Sequence, residues 1–288
     1  MIRQRKEKLS ALALAAPLLL FLTVLVIWPV YLGVRTSLSR DLLSEFEITP
    51  AGLDNYRAVL QAPDFWSALR FTILFAIVVT IIEGILGFAL ALVFDRKFPG
   101  KKTLFSMVLI PIMIAPSLMA VMYRLILNEN IGIIPGAIQK IGWDISIFDQ
   151  RYIFFTLVAL DAIQYTSFAF LLAYAALQNI PQDIYESAAI DGARYRQVVF
   201  RITIPILRPA LAIVALLRLI DSFRTFDTVY ILTGGGPGIS TQTIGIYIYK
   251  TAFITGDFGL ASAASVTLVL LLVPLMPSII KQFRLDVK

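Results

Sequence analysis

This sequence of 288 residues contains six long apolar runs. A helix needs about 20 mostly apolar residues to cross a bilayer, and each run is that long. The composition agrees, because only 15% of the residues are charged, whereas a soluble domain has about 25%. The expected fold is therefore an all-α membrane protein whose six transmembrane helices form one domain over residues 1–288. The predicted spans lie near residues 11–34, 68–94, 104–127, 152–177, 210–231 and 258–281.

The first run, 11–34, differs from a cleaved signal peptide. It continues past Trp28 and Tyr31, whereas the apolar part of a signal peptide has about 7–15 residues and precedes a small-residue cleavage site. We therefore expect this run to remain as the first span.

The basic residues lie mainly on one side of the predicted membrane. Fifteen of the 25 Lys and Arg residues fall in the N-terminal tail, the loops 95–103 and 178–209, and the C-terminal tail. Six fall in the three opposite connections and four within the spans. Because cytoplasmic loops retain Lys and Arg, the pattern predicts a multi-pass protein with both termini in the cytoplasm. The net charge of +6 is then explained by topology, and no nucleic-acid partner is expected.

The sequence contains no cysteine and no histidine. This composition excludes thiolate nucleophiles, thiol-ligated metals and histidine proton relays. A phosphate-binding loop needs the pattern G-x-x-x-x-G-K-[ST], but the string GKKT at 100–103 lacks the upstream glycine and the glycine-rich string at 234–238 lacks a lysine. We therefore expect no catalytic residue, no metal site and no cofactor on this chain.

The predicted cytoplasmic loop 178–209 is much longer than a hairpin between two spans needs. Asn179 and Pro181 are typical of a helix start, and Gly192 can adopt the positive φ that ends a helix. A second helix is predicted over 193–202, so the loop is expected to form a helix-turn-helix. By pattern alone, an amphipathic helix resting on lipid headgroups stays open as an alternative. The residues predicted to end the second helix are Pro205 and Pro209.

Several strings of the sequence together resemble the permease subunits of binding-protein-dependent ABC importers, and the carbohydrate-type permeases in particular. Residues 186–193 read ESAAIDGA and residues 202–209 read ITIPILRP, which resembles the EAA loop of that family. Ser187 stands where the motif usually has its second-position alanine. Further similar strings are GLDNY at 52–56, FRTFD at 223–227 and LTGGGP at 232–237.

The resemblance implies a function and a set of partners. The chain would be the membrane-spanning subunit that forms the path for a sugar, polyol or sugar derivative, which a periplasmic or extracellular binding protein delivers. It would lie in the cytoplasmic (inner) membrane of a bacterium or archaeon, beside a second, different permease subunit. A dimeric cytoplasmic ATPase would bind ATP and magnesium, so this chain itself would not be an enzyme.

The resemblance also implies a role for the first helix of the 178–209 loop. A coupling helix at about 183–190 would dock in a cleft of the ATPase, with Glu186 as the polar contact and Gly192 as the turn. Its small apolar side would press against the partner. The residues expected at this contact are Tyr185, Glu186, Ala188, Ala189, Asp191 and Gly192.

Two of the predicted spans carry polar residues at helical spacing. Polar side chains inside a membrane cost free energy unless they face a cavity or a partner, and the spacing puts each set on one helical face. Sugar hydroxyls need donors and acceptors, and a sugar's C–H face packs on aromatic rings, so we predict that both faces line one substrate cavity. These positions also match the substrate contacts of the resembled family. The residues are Asp161, Gln164, Tyr165 and Phe168 in the fourth span and Arg218, Asp221, Ser222 and Thr225 in the fifth.

The same polar residues have a purely structural alternative. Arg218 with Asp221, and Arg224 with Asp227, have the spacing of ion pairs that only neutralise each other within a helix. Glu83, alone in the second span, is expected to bond another helix rather than a substrate.

A second function class also stays open at the level of the sequence. An ion-coupled secondary transporter would use an intramembrane carboxylate, such as Asp161, Asp221 or Glu83, to carry a proton. Such carriers contain inverted repeats, and none is evident in this sequence. The substrate charge is open too, because Arg218 and Arg224 leave room for an anionic sugar.

Overall fold

The structure of the chain, a computed structural model, describes residues 2–40, 49–142 and 146–275. The end of the last predicted span and the basic tail with Lys281, Arg284 and Lys288 lie outside the described residues. Two short strands, β1 (Ser39–Arg40) and β2 (Thr49–Pro50), pair antiparallel. The helices are α1 (Ile2–Ser37), α2 (Asp54–Gln61), α3 (Pro63–Asp95), α4 (Lys101–Met113), α5 (Pro116–Ile126), α6 (Ile133–Lys140), α7 (Ile153–Leu177), α8 (Gln182–Ile190), α9 (Tyr195–Val198), α10 (Ile204–Phe223), α11 (Asp227–Thr233), α12 (Ile244–Tyr249) and α13 (Phe258–Leu272).

Four helical stretches of the described residues are long and apolar enough to cross a membrane. A fifth crossing exists if α4 and α5 count as one span. At the sixth predicted span, α13 has 15 residues, fewer than the ~20 that a crossing needs. By length and composition, the described residues thus contain four or five candidate spans of a helical membrane protein, and the count of six stays a prediction. The four long stretches are Ala15–Ser37, Pro63–Asp95, Ile153–Leu177 and Tyr195–Phe223.

The third predicted span, 104–127, is not one straight helix. Helix α4 ends at Met113, α5 begins at Pro116, and the two are bent by 97°. A proline disfavours a helical backbone in the residue before it, and Ala115 accordingly has an extended ψ of 137°. The bend also frees backbone carbonyls at the end of α4, which other side chains can then bind.

The fifth predicted span, 210–231, is wrong at both ends. Helix α9 continues through a π-helical turn, Val199–Thr203, into α10. Contrary to the prediction from the sequence, Pro205 does not end the second loop helix, and it lies in the first turn of α10, directly after the π-helical turn. Pro209 lies inside α10. At the other end, α10 stops at Phe223 and the chain turns before α11 begins.

The described residues form two compact units, and the smaller one combines α1, β1, β2 and α2 with the segment Ile248–Pro274. In this unit the hydroxyl oxygens of Ser37 and Tyr56 are 2.6 Å apart. The Asn55 side chain donates hydrogen bonds to the backbone oxygens of Ser37 and Ser39 at 3.0 and 2.8 Å. These bonds hold the start of α2 against the end of α1. The single domain expected over 1–288 stays a prediction.

The larger unit contains Pro63–Tyr247 and is built around the packing of α3 on α7. A Cβ atom added at Gly87 of α3 would lie 2.7 Å from Ala169 Cβ and 2.7 Å from the Phe170 backbone nitrogen of α7. A glycine at this position therefore allows the two backbones to approach closely, as small residues do in membrane helix pairs. Phe94 and Phe170 extend the contact, with their ring centroids 5.0 Å apart.

We expect Gly87→Ala to lower the free energy of unfolding by about 1–3 kcal/mol, because the added methyl group would overlap the backbone of α7. Gly84→Ala is the matched control, since it lies in the same helix and an added Cβ there meets nothing within 4 Å. Thermal unfolding of both variants in detergent measures the difference. Equal melting temperatures would contradict the close approach at Gly87.

Candidate functional site

Arg218 of α10 is the centre of a buried ion cluster, and its side chain is 2% exposed. Nε and Nη2 both donate to the carboxylate of Glu83 in α3. Nη2 also donates to Asp161 Oδ2 of α7 at 3.0 Å, and Nη1 donates to Asp221 Oδ2 at 2.7 Å. The Tyr165 ring covers one face of the guanidinium, with its centroid 4.1 Å from Cζ. One cation thus joins three helices.

The sequence positions of these residues explain the cluster. Asp161 and Tyr165 are one turn apart on α7, as are Arg218 and Asp221 on α10, so each helix presents two members on one face. Charges buried in a membrane protein need charged or hydrogen-bonding partners, which the cluster provides. The prediction that Glu83 bonds another helix is confirmed. The ion pair of Arg218 with Asp221 is also present, as part of this larger cluster.

A cavity of about 200 Å³ lies beside the cluster. Helix α7 contributes a carboxylate and a phenol ring to its lining, and α10 contributes Asp221, whose side chain is 50% exposed. The turn between α10 and α11, together with the start of α11, contributes most of the rest. A second cavity, of about 310 Å³, shares Tyr165, Asp221 and Arg224 with the first. The residues that line the first cavity are Pro116, Asp161, Tyr165, Asp221, Arg224, Thr225, Phe226, Asp227 and Thr228.

The eight predicted substrate residues do not all reach these cavities. Gln164 is buried, and its Nε2 donates to the Ile114 carbonyl at the bend between α4 and α5, at 3.1 Å. Ser222 is 1% exposed, and its hydroxyl has no hydrogen-bond partner in the part of the chain that the structure describes. Arg218 is enclosed in the ion cluster. The five that line a cavity are Asp161, Tyr165, Phe168, Asp221 and Thr225.

The placement of Thr225 on a helical face is wrong, because α10 ends at Phe223. Thr225 lines the cavity through the turn that follows the helix. The same turn and the start of α11 bring Arg224, Phe226 and Asp227 to the cavity. None of the three was among the predicted substrate residues, although Arg224 was noted as a possible partner of an anionic sugar. The signal for them is the string FRTFD at 223–227, which places charged and aromatic residues at the end of an apolar run.

The cluster is not arranged as a metal site. Over residues 2–40, 49–142 and 146–275, no group of three Asp, Glu, His or Cys side chains could hold a metal ion. Glu83, Asp161 and Asp221 converge, but all three accept hydrogen bonds from Arg218, which takes the place of a bound cation. The cavity instead offers a ligand carboxylate acceptors, a guanidinium donor, hydroxyl groups and aromatic rings.

The segment that resembles the EAA loop begins with α8, Gln182–Ile190, close to the predicted 183–190. Gly192 has a φ of +68°, as the sequence predicts, and the Ala193 N–H donates to the Ala188 carbonyl at 2.9 Å, which closes the end of the helix. Ala188 is 6% exposed.

Part of the small apolar side of α8 packs on this chain itself, whereas Ala189, on the same side, is exposed. Ile184 and Tyr185 pack against a buried cluster of this same chain, and Ala188 is buried with them. The reason is that the ends of α3, α7 and α10 expose apolar surface at this level, which α8 covers. The exposed residues of α8 include Glu186, Ala189 and Ile190.

Polar and cation–π contacts attach this segment to neighbouring helices. Gln178 Nε2 donates to Asp95 Oδ1 at the end of α3, at 2.9 Å. The Arg96 guanidinium lies 4.5 Å above the Tyr195 ring of α9. The Tyr185 and Thr203 hydroxyl oxygens are 3.4 Å apart. The segment is therefore held to both α3 and the helical stretch that leads into α10.

Residues 83–282 match the family described as the inner membrane component of binding-protein-dependent transport systems. The chain is also 36% identical to the trehalose/maltose transport system permease protein of Thermococcus litoralis, over 94% of this chain and 92% of that protein. The chain belongs to this permease family. It is therefore a transport subunit and not an enzyme.

Further similarities agree with membership of this permease family. The sulfoquinovosyl glycerol transport system permease protein of Agrobacterium fabrum is 31% identical over 91% of this chain and 86% of its own length. A chain in the crystal structure of a bacterial ABC transporter for the acidic polysaccharide alginate matches with a TM-score of 0.85 and 19% identity, over 99% of both chains. The expected resemblance to ABC importer permeases is confirmed.

We expect Arg218→Met to lower the free energy of unfolding by about 3–5 kcal/mol, because Glu83 and Asp161 would stay buried without their cation. Replacing the three buried charged groups together, in the variant Arg218→Met, Glu83→Gln, Asp161→Asn, should recover most of this loss. Thermal unfolding in detergent measures both variants. A triple variant no more stable than the single one would contradict charge imbalance as the cause.

Proposed function

We propose that this permease lines the translocation path for a sugar, polyol or sugar derivative in an ATP-driven importer. The cavity beside the Arg218 cluster is the observation that supports this proposal most directly. It places carboxylates, a guanidinium, hydroxyls and aromatic rings together inside a helical membrane protein, and these are the groups that recognise hydroxyls and the C–H face of a sugar. The relatives named for trehalose/maltose and sulfoquinovosyl glycerol transport support the same substrate class.

The predicted residues divide into substrate contacts and positioning residues in this proposal. Gln164 holds the bend between α4 and α5 through the Ile114 carbonyl, and Arg218 holds three helices around the cavity. Ser222 is buried and lines neither cavity, so it is not a substrate contact in this proposal. The proposed substrate contacts are Asp161, Tyr165, Phe168, Asp221 and Thr225.

The source of energy in this proposal is a separate dimeric ATPase that binds ATP and magnesium, with α8 as the coupling helix. The exposed side of α8 offers Glu186, Ala189 and Ile190 for this contact. Tyr185 and Ala188 act from the other side by fixing α8 on its own chain. Asp191 and Gly192 form the turn that ends the helix.

The remaining parts of the assembly follow from the sequence pattern and the relatives. Six spans in one domain, with both termini in the cytoplasm, agree with the excess of basic residues in the predicted inner loops. A binding protein on the opposite side agrees with the family description and with a solved alginate ABC transporter in complex with its alginate-bound periplasmic protein. The second permease subunit is proposed to be a different chain, as the resemblance implies.

An ion-coupled secondary transporter is not favoured. It would need an intramembrane carboxylate that can take up and release a proton, and Glu83, Asp161 and Asp221 all accept hydrogen bonds from Arg218. Membership of a binding-protein-dependent transport family also argues against it.

We expect Glu186→Lys to insert and assemble normally but to abolish ATP-driven uptake, because the reversed charge opposes docking of α8 on the ATPase. The measurement is uptake of radiolabelled maltose by proteoliposomes that contain the full transporter with its binding protein. In the native complex, uptake should require ATP at the cytoplasmic face and should resist a protonophore.

The matched control is Asp64→Lys, a charge reversal at an exposed residue in the first turn of α3. Asp64 lies roughly 50 Å along the helix from Asp95, the residue of α3 that contacts Gln178. This variant should retain uptake and ATPase association. Normal uptake by Glu186→Lys would refute the coupling role of α8, and uptake driven by a proton gradient without ATP would refute the importer assignment.

A further inference from the structure

The guanidinium of Arg218 is not available to a ligand. Each of its three nitrogens donates to a carboxylate of Glu83, Asp161 or Asp221. The Tyr165 ring covers one of its faces, and only 2% of the side chain is exposed. The buried guanidinium of Arg218 therefore cannot bind an anionic substrate unless it breaks its hydrogen bonds to these carboxylates.

The ionisable groups that do reach the cavity are mainly acidic. Asp161, Asp221 and Asp227 line it together with a single cation, Arg224. Glu83 and Arg218 lie directly behind these groups and bond each other, so Arg218 adds no free positive charge to the lining. Charge interactions are stronger at membrane depth than in water, because the surroundings have a low dielectric constant.

Asp221 is the member of the cluster best placed to meet a substrate. Its Oδ2 accepts the hydrogen bond from Arg218, whereas its Oδ1 has no hydrogen-bond partner among the described residues. Half of the side chain is exposed, in contrast to the buried Glu83 and Asp161. A free carboxylate oxygen accepts from a hydroxyl or an ammonium group but repels another carboxylate, a phosphate or a sulfonate.

We propose that the cavity selects uncharged or amino-substituted sugars and rejects anionic ones, with Asp221 as the acceptor and with Arg218 kept from the substrate by Glu83 and Asp161. This inference rests on the proposed function and names the charge class of its substrate. It concerns the permease itself, separately from any selection that the binding protein makes.

The test compares three monosaccharides that share one pyranose ring and differ in charge, namely glucose, glucosamine and glucuronate. Their binding is measured by saturation-transfer NMR titration on the assembled permease and ATPase complex in nanodiscs, without binding protein. We expect glucuronate to bind at least about tenfold more weakly than glucose, a difference of about 1.4 kcal/mol. Glucosamine should bind at least as tightly as glucose.

Two variants of opposite charge provide matched controls within the same cavity. Asp227→Asn removes a negative charge and Arg224→Gln removes a positive one, and both residues are exposed and outside the Arg218 cluster. Asp227→Asn should lower the preference for glucose over glucuronate about threefold or more, and Arg224→Gln should raise it by a similar factor. Melting temperatures close to that of the native complex establish that both variants are folded.

Three results would overturn the inference. These are glucuronate binding as tightly as glucose, both variants shifting the preference in the same direction, and no binding of any of the three sugars. The proposed function is judged separately by ATP-dependent uptake in proteoliposomes, so an importer that prefers the anionic sugar would refute only the charge selectivity.

Discussion

The bidentate contact of Arg218 with Glu83 is the interaction on which the rest of the larger unit depends. It joins α10 to α3, and the remaining donors of the same guanidinium reach Asp161 on α7 and Asp221 on α10 itself. Buried charges of this kind add little net stability when complete, but an incomplete set is strongly destabilising. The cluster therefore fixes the relative position of three helices more through the penalty for separating them than through its own attraction.

The cavity beside this cluster exists because two helices stop. Helix α4 ends before Pro116, and α10 ends at Phe223 although the sequence remains mostly apolar to Leu232. Continuous helices at these positions would pack side by side, as α3 and α7 do at Gly87. Irregular backbone at membrane depth is tolerated only where protein or a water-filled cavity satisfies its polar groups, and Gln164 does this for the Ile114 carbonyl.

Features that depend on neighbouring residues were predicted from the sequence, whereas contacts between residues far apart in the chain were not. Apolar length identifies α7 to within one residue and the end of α3 equally well, although α3 begins five residues before the predicted span, and Gly192 has the predicted positive φ, because these features depend on local chemistry. Spacing also places Asp161 with Tyr165 on one face. No spacing, however, connects Glu83 to Arg218 across 135 positions, and so the sequence left Arg218 as a substrate contact.

The ends of helices were the other source of error, for a related reason. Proline signals a helix end in an isolated segment, yet Pro205 is accommodated in the first turn of α10 after a π-helical turn. Likewise, an apolar helix side does not indicate whether it packs on its own chain or on a partner. In α8, Ile184 and Tyr185 pack on helices of this chain. For α8, contacts with helices far along the chain determine which surface it covers, and local propensity does not indicate them.

The cluster also constrains how a movement at the proposed coupling helix can reach the cavity. From Tyr195 the helical stretch runs without a break to Phe223 and includes Arg218, while Asp95, which accepts a hydrogen bond from Gln178, ends the helix that carries Glu83. Helix α3, which the coupling segment contacts, and α10, which continues from it, therefore also contact each other through the buried ion pair of Arg218 with Glu83. Sliding one past the other would expose that contact or leave it unpaired, at a cost of several kcal/mol. In the proposed importer, α3 and α10 would therefore move together, and access would change on the side of the cavity where Asp221 and the α10–α11 turn are exposed.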